Sequence, residues 1–119
     1  MAELVVYEKR TCSTCRNLAA LLAERGVDFD RVEYHVEGLP EAKLRELLRK
    51  GDMRPADVLR RREPLVAELG LDGDELPPDD ELVRLMAVHP EIVQRPIVER
   101  GDRAVLGRPV ERVLELLDG

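Results

Sequence analysis

The chain has 119 residues, 44% of them apolar and 37% charged, and its 19 basic and 25 acidic side chains leave a formal charge of −6. Leu and Val lie in periodic runs, so a packed core is expected and disordered, collagen-like and low-complexity readings drop out. No stretch nears the roughly 18 apolar residues of a membrane span, and Met1 to Arg10 lacks the apolar segment of a secretory signal, so no membrane contact and a cytoplasmic address are expected. The acidic balance argues against direct nucleic-acid binding, which needs a dense basic face. Sixteen of the basic residues are Arg and three are Lys. A guanidinium holds an oxyanion with paired donors, but a compositional bias toward Arg would give the same count, and only position separates the two.

Leu4 to Tyr7 reads as a buried strand closed off by Glu8, Lys9 and Arg10. Thr11 is placed to cap a helix over about Ser13 to Arg25, with Cys15, Leu18, Ala19 and Leu22 on one face and Gly26 as its stop. Val27 to Tyr34 then reads as a second strand, parallel to the first through a right-handed βαβ crossover. The middle of the chain is helical: one helix from Pro40 to Gly51, a short one over Ala56 to Arg60, a third over Leu65 to Leu69 before Gly70, and a fourth from an Asp79 or Asp80 cap to His89-Pro90. Pro77-Pro78 reads as a rigid loop between helices.

Pro96 to Glu99 and Arg103 to Leu106 flank Gly101-Asp102, a signal for a primed hairpin turn between antiparallel strands. A last helix follows Pro109, with Val110, Val113, Leu114 and Leu117 sharing a face. The order β-α-β, helices, β-β-α predicts a mixed four-stranded α/β sheet of thioredoxin-like architecture. Residues 1–119 are read as one domain and residues 36–94 as a helical insertion within it.

Cys12-Ser13-Thr14-Cys15 at a strand-to-helix junction reads as a redox or nucleophilic thiol site. The helix start offers unpaired N–H groups and the positive dipole end, which favour a thiolate at Cys12, while Cys15 sits one turn inside and is suited to resolve an adduct. Competing readings are a zinc site and two inert thiols. Zinc needs two further ligands, and His35 and His89 lack paired spacing, so no metal is expected. His89 reads as a turn residue. Arg60-Arg61-Arg62, without aromatic neighbours, reads as a helix end or an anion contact.

Cys12-Ser13-Thr14-Cys15-Arg16-Asn17, Arg95-Pro96-Ile97-Val98 and Gly107-Arg108-Pro109, with Glu63-Pro64, Glu68-Leu69-Gly70-Leu71 and His89-Pro90 in order between them, resemble the glutaredoxin-linked arsenate reductase family, which also includes the redox-sensing transcription regulator Spx. The resemblance covers almost the whole chain. It implies a thioredoxin-like core, Cys12 as nucleophile with Cys15 beside it, and Arg60, Arg95 and Arg108 around the oxyanion, with Arg61 as the alternative to Arg60. Arg16 and Pro96 are implied as supporting residues, the latter through a cis peptide. No bound cofactor is implied; glutathione, or a thioredoxin or glutaredoxin system, would supply electrons. The pattern departs from the reductases at Glu8, where a His is common, and a carboxylate there would raise a nearby thiol pKa. The second Cys is shared with the regulator, so an RNA polymerase-binding module is the alternative, and a reductase of another thiol or disulfide substrate a third. The Arg of Gly107-Arg108-Pro109 follows the reductase pattern.

Overall fold

The structure, a computed structural model, describes residues 4–9 and 11–118; Arg10, expected to help close the first strand, lies outside them. Strand β1 (Leu4–Glu8) alternates its side chains across the sheet, and everything else assembles around it. Parallel β2 (Asp30–Glu33) pairs on one side and antiparallel β3 (Ile97–Arg100) on the other, followed by antiparallel β4 (Arg103–Leu106), in the order β2-β1-β3-β4. This is the thioredoxin-like arrangement expected from the order of elements. The β3–β4 hairpin turns at Gly101, whose φ of 58° fits the first central position of a primed turn.

Each face of the sheet has its own core. Leu4, Val6, Val98 and Val105 pack against Leu18 and Leu22 of helix α1 (Ser13–Glu24) and against Val113 and Leu116 near the C-terminus. Tyr7, Ile97 and Ala104 face the other way, toward Leu44 and Leu47 of α3 (Glu41–Gly51) and Leu82 and Met86 of α5 (Asp79–Val88). Glu99 is buried on that second face, where the Tyr7 hydroxyl donates to Oε1 at 2.8 Å and Lys43 and Lys50 reach Oε2 at 3.0 and 2.5 Å. A buried carboxylate held this way is paired and hydrogen-bonded, the condition under which such a charge is tolerated.

Several boundaries differ from the pattern reading for local reasons. Cys12, not Thr11, is the N-cap of α1. At its other end Gly26 N–H bonds Ala23 C=O and Val27 N–H bonds Leu22 C=O, a Schellman cap. That cap occupies the Val27 amide, so β2 begins only at Asp30. Tyr34 leaves the strand and opens a one-turn helix α2 (Tyr34–Glu37), its ring fully buried and its hydroxyl donating to the Val93 carbonyl at 2.6 Å. Helix α3 runs through Gly51 and turns at Asp52, φ 51°. Gly51 is needed for closeness instead: a Cβ there would lie 2.5 Å from Met53 Cε and 3.0 Å from the Ala104 carbonyl. Helix α5 is capped by Pro78, with Asp79, Asp80 and Glu81 in the first turn, where acids favour the helix dipole. Pro55–Val58 and Val110–Val113 are 3-10 helices. Since a 3-10 turn stacks residues three apart, the C-terminal segment buries Val113 and Leu116, with Leu114 only partly covered. The remaining helices are α4 (Pro64–Glu68) and α6 (Leu114–Asp118).

Candidate active site

The carboxyl end of β1 delivers Cys12 to the N-terminus of α1. Cys12 N–H bonds the Lys9 carbonyl at 3.0 Å and Cys12 C=O accepts from Arg16 N–H at 3.0 Å, so the residue is fixed by backbone on both sides. Its sulfur opens onto a cavity of about 620 Å3 whose charged lining residues are Arg60, Arg61, Arg62, Arg95 and Arg108, without a carboxylate.

Three connections bring the principal Arg side chains there. Arg95 ends the segment before β3; its following peptide to Pro96 is cis, and the residue is only 5% exposed. Arg108 stands after Gly107, which packs so closely on Pro96 that a Cβ would lie 3.0 Å from Pro96 Cγ, and whose N–H bonds the Pro96 carbonyl at 2.8 Å. From this turn Arg108 Nε donates to the Arg95 carbonyl at 2.6 Å and Nη2 reaches Cys12 Sγ at 3.8 Å. Arg60 arrives on a short two-stranded bridge, Leu59 opposite Val93, in which Arg60 N–H bonds Ile92 C=O and Gln94 N–H bonds Val58 C=O, both at 2.7 Å. Gln94 Oε1 then accepts from Arg60 Nη1 at 3.0 Å and from Arg95 N–H at 3.3 Å. Arg60 Nε and Arg95 Nε are buried without a hydrogen-bond partner among the described residues, although the Glu63 carboxylate lies 3.9 Å from Arg60 Nε. Buried donors left open in this way are the features an incoming anion would satisfy.

Electrostatics separates the two thiols. Burial pushes the Cys12 thiol up, but the Cys15 amide and thiol, and the Arg95 guanidinium through hydrogen bonding and charge, outweigh it and hold Cys12 below its ordinary range. Cys15 is 1% exposed and pushed up to about 12, first by burial, then by the neighbouring Cys12 sulfur and by Glu8. An outer thiol that gives up its proton more readily beside an inner one that keeps it is the division of labour expected of a nucleophile and a resolving thiol. Burial and the Arg95 and Arg108 charges also lower the Arg60 pKa, a sign that three cations are confined together.

Not every residue singled out in the sequence meets here. Cys12, Arg60, Arg95 and Arg108 line one cavity. Arg16 does not: it is exposed and lines a separate cleft with Glu8, Cys15, Ala19 and Arg31, because its position one turn into α1 points it away from the cavity. Glu8 is 3% exposed, lies 3.3 Å from Arg31 Nε and acts on Cys15, so its charge is directed at the inner thiol. His35, which has no paired His in the sequence pattern, has Nε2 3.4 Å from Arg95 Nη1; burial and the Arg95 charge lower its pKa, favouring the neutral ring. His89 caps the end of α5. Gln94 carried no chemical motif, and its role emerges only once Leu59 and Val93 are paired. Among the described residues no three His, Cys, Asp or Glu side chains gather to hold a metal, and no helix is long and apolar enough to cross a membrane.

The chain is similar to known proteins along nearly its whole length. The chain is 33% identical over 118 residues to an arsenate reductase of Neisseria meningitidis, covering 98% of this chain and all of that one. It is 35% identical to arsenate reductase ArsI2 of Synechocystis, over 97% of this chain and 81% of the relative. The structure superposes on an arsenate reductase from Vibrio cholerae with a TM-score of 0.86 at 34% identity, covering 94% of this chain and 95% of the other. The ArsC family model matches residues 7–116, nearly the entire length, and the chain belongs to the ArsC family.

Proposed function

We propose that this protein is a thiol-dependent reductase of arsenate. The observation that carries the reading is an ionisable sulfur, Cys12, opening onto a cavity whose charged walls are all Arg, with Arg108 Nη2 3.8 Å away. A tetrahedral oxyanion satisfies the open guanidinium donors, and its arsenic is then presented to the sulfur. Phosphate would bind the same donors, but arsenic alone of the two is reduced by thiols.

The steps balance with two thiols. Cys12 Sγ attacks arsenic and one oxygen leaves as water after taking up protons, forming an S–As bond. A second thiolate attacks the Cys12 sulfur; the S–As electron pair stays with arsenic, which falls from the pentavalent to the trivalent state, and an S–S bond forms as arsenite departs. Arg60, Arg95 and Arg108 neutralise charge on the oxyanion throughout. Cys15 is competent only after Cys12 has reacted, when the charge that helped hold its proton is gone. The second thiol is then either Cys15, giving an internal disulfide recycled by thioredoxin or glutaredoxin, or glutathione, giving a mixed disulfide. A reducing cytoplasm supplies both routes.

The test is arsenate-dependent turnover, measured separately with glutathione plus glutaredoxin and with thioredoxin plus its reductase, in wild type, Cys12→Ser and Cys15→Ser. Loss in Cys12→Ser under both systems is expected. Full rate in Cys15→Ser with glutathione would make the internal disulfide dispensable. Absence of arsenate turnover together with binding to RNA polymerase, or with reduction of another disulfide, would overturn the assignment.

A further inference from the structure

The cavity is larger than the oxyanion requires. At about 620 Å3 it lies within the range of small-molecule sites, which run from roughly 300 to 1,000 Å3. A tetrahedral oxyanion has only five heavy atoms. Arg60, Arg95 and Arg108 converge near Cys12, but Arg61 and Arg62, the rest of the three-Arg run, line the same cavity and remain exposed. Neither makes an ion pair among the described residues, whereas Arg60 has Glu63 and Gln94. In a chain of net charge −6, a cavity bearing five Arg and no acid is a strong local field for anions.

We infer that Arg61 and Arg62 form a second subsite, which holds the carboxylates of a small anionic thiol while its sulfur is brought to Cys12. The inference rests on the reductase reading and selects between its two sources of the second thiol. Cys15, 1% exposed, does not line the cavity onto which the Cys12 sulfur opens, whereas a thiol from solution enters by it. A thiol bearing carboxylates is drawn into the cavity, and its sulfur attacks the Cys12 sulfur of the S–As adduct. The S–As electron pair reduces arsenic, and Cys12 is left in a mixed disulfide with the small thiol. Arg61 and Arg62 are thus specificity-determining for the reductant, apart from the groups that hold the oxyanion.

The subsite can be tested without arsenate, through the mixed disulfide that Cys12 forms with an added disulfide. In the Cys15→Ser background, which traps that product, rates are compared by mass spectrometry for glutathione disulfide and its carboxyl-esterified counterpart, with and without Arg61→Ala plus Arg62→Ala. The free-acid form is expected to react about tenfold faster than the ester, and the ratio to fall several-fold in the double variant, as two partly solvated charge contacts warrant, with the remainder due to Arg60, Arg95 and Arg108. Raising ionic strength should shrink the ratio in the same direction. Equal rates for the two probes before mutation, or a ratio untouched by the double variant, would overturn the inference. Since no arsenate enters this assay, failure of the reductase reading alone would leave the ratio intact.

Discussion

Gln94→Leu isolates the contact that aims Arg60. Gln94 Oε1 is the only hydrogen-bond acceptor for the Arg60 guanidinium among the described contacts, at 3.0 Å, and Arg60 Nε is already buried without a hydrogen bond. Hydrogen bonds to charged groups contribute about 1.5–3 kcal/mol. The Arg60 side chain is 21% exposed, so the lower end applies: about 1–2 kcal/mol, or roughly 5- to 30-fold weaker oxyanion binding. The assay is protection of Cys12 from iodoacetamide by arsenate, at fixed pH and ionic strength, which yields an apparent Kd without requiring turnover. In an Arg60→Leu background the same Gln94→Leu change should cost much less, because only the longer contact from Arg95 N–H, at 3.3 Å, is then left to lose. An unchanged Kd in Gln94→Leu, or equal losses with and without Arg60, would refute the claim that Gln94 works through Arg60.

Acid stability should follow Glu99. Its carboxyl is buried, which alone would raise its pKa, but Lys50, Lys43 and Tyr7 hold it down at about 2. Because the folded-state pKa lies below the unfolded one, this contribution is fully present above about pH 4.5 and is lost between there and about pH 2; it amounts to about 3 kcal/mol at most. Urea unfolding from pH 7 to pH 3 should show that decline in wild type and a flatter limb in Glu99→Gln. Glu8→Gln should let the Cys15 pKa come down, since Glu8 is one of the charges raising it. Titration in a Cys12→Ser background checks this, and no movement there would show that Glu8 acts elsewhere. Leu18→Ala, which empties a fully buried position between α1 and the sheet, should cost about 2–5 kcal/mol in chemical denaturation.

Much of the architecture is legible in residue order because the cues are local. The apolar run Leu4 to Tyr7, the Gly26 cap and the Gly101-Asp102 turn each act within a few residues, and together they mark the first strand, the end of the first helix and the hairpin. The departures from local pattern are tertiary in origin. Tyr34 has the character of a strand residue, yet its buried hydroxyl is satisfied by Val93, 59 positions away, and the chain coils there to deliver it. The 3-10 geometry at Val110–Val113 likewise shifts the buried face to Leu116. In the site, Cys12 and the Arg of the two Pro motifs stand out by type and spacing. Gln94 and His35 do not, because each matters only through an Arg contributed by a different segment. Arg16 adjoins the Cys motif in sequence but lies on the other side of the helix start in space.

Ionisation of the Cys12 thiol, followed by the pH dependence of its alkylation rate in the Cys15→Ser background, bears most directly on the whole account. The inflection is predicted below the ordinary thiol range near 8.5, and it should move upward in Arg95→Gln, which removes a charge and a hydrogen bond from the sulfur. An inflection at or above that range in the parent, indifferent to Arg95, would contradict the claim that these guanidinium groups create the nucleophile.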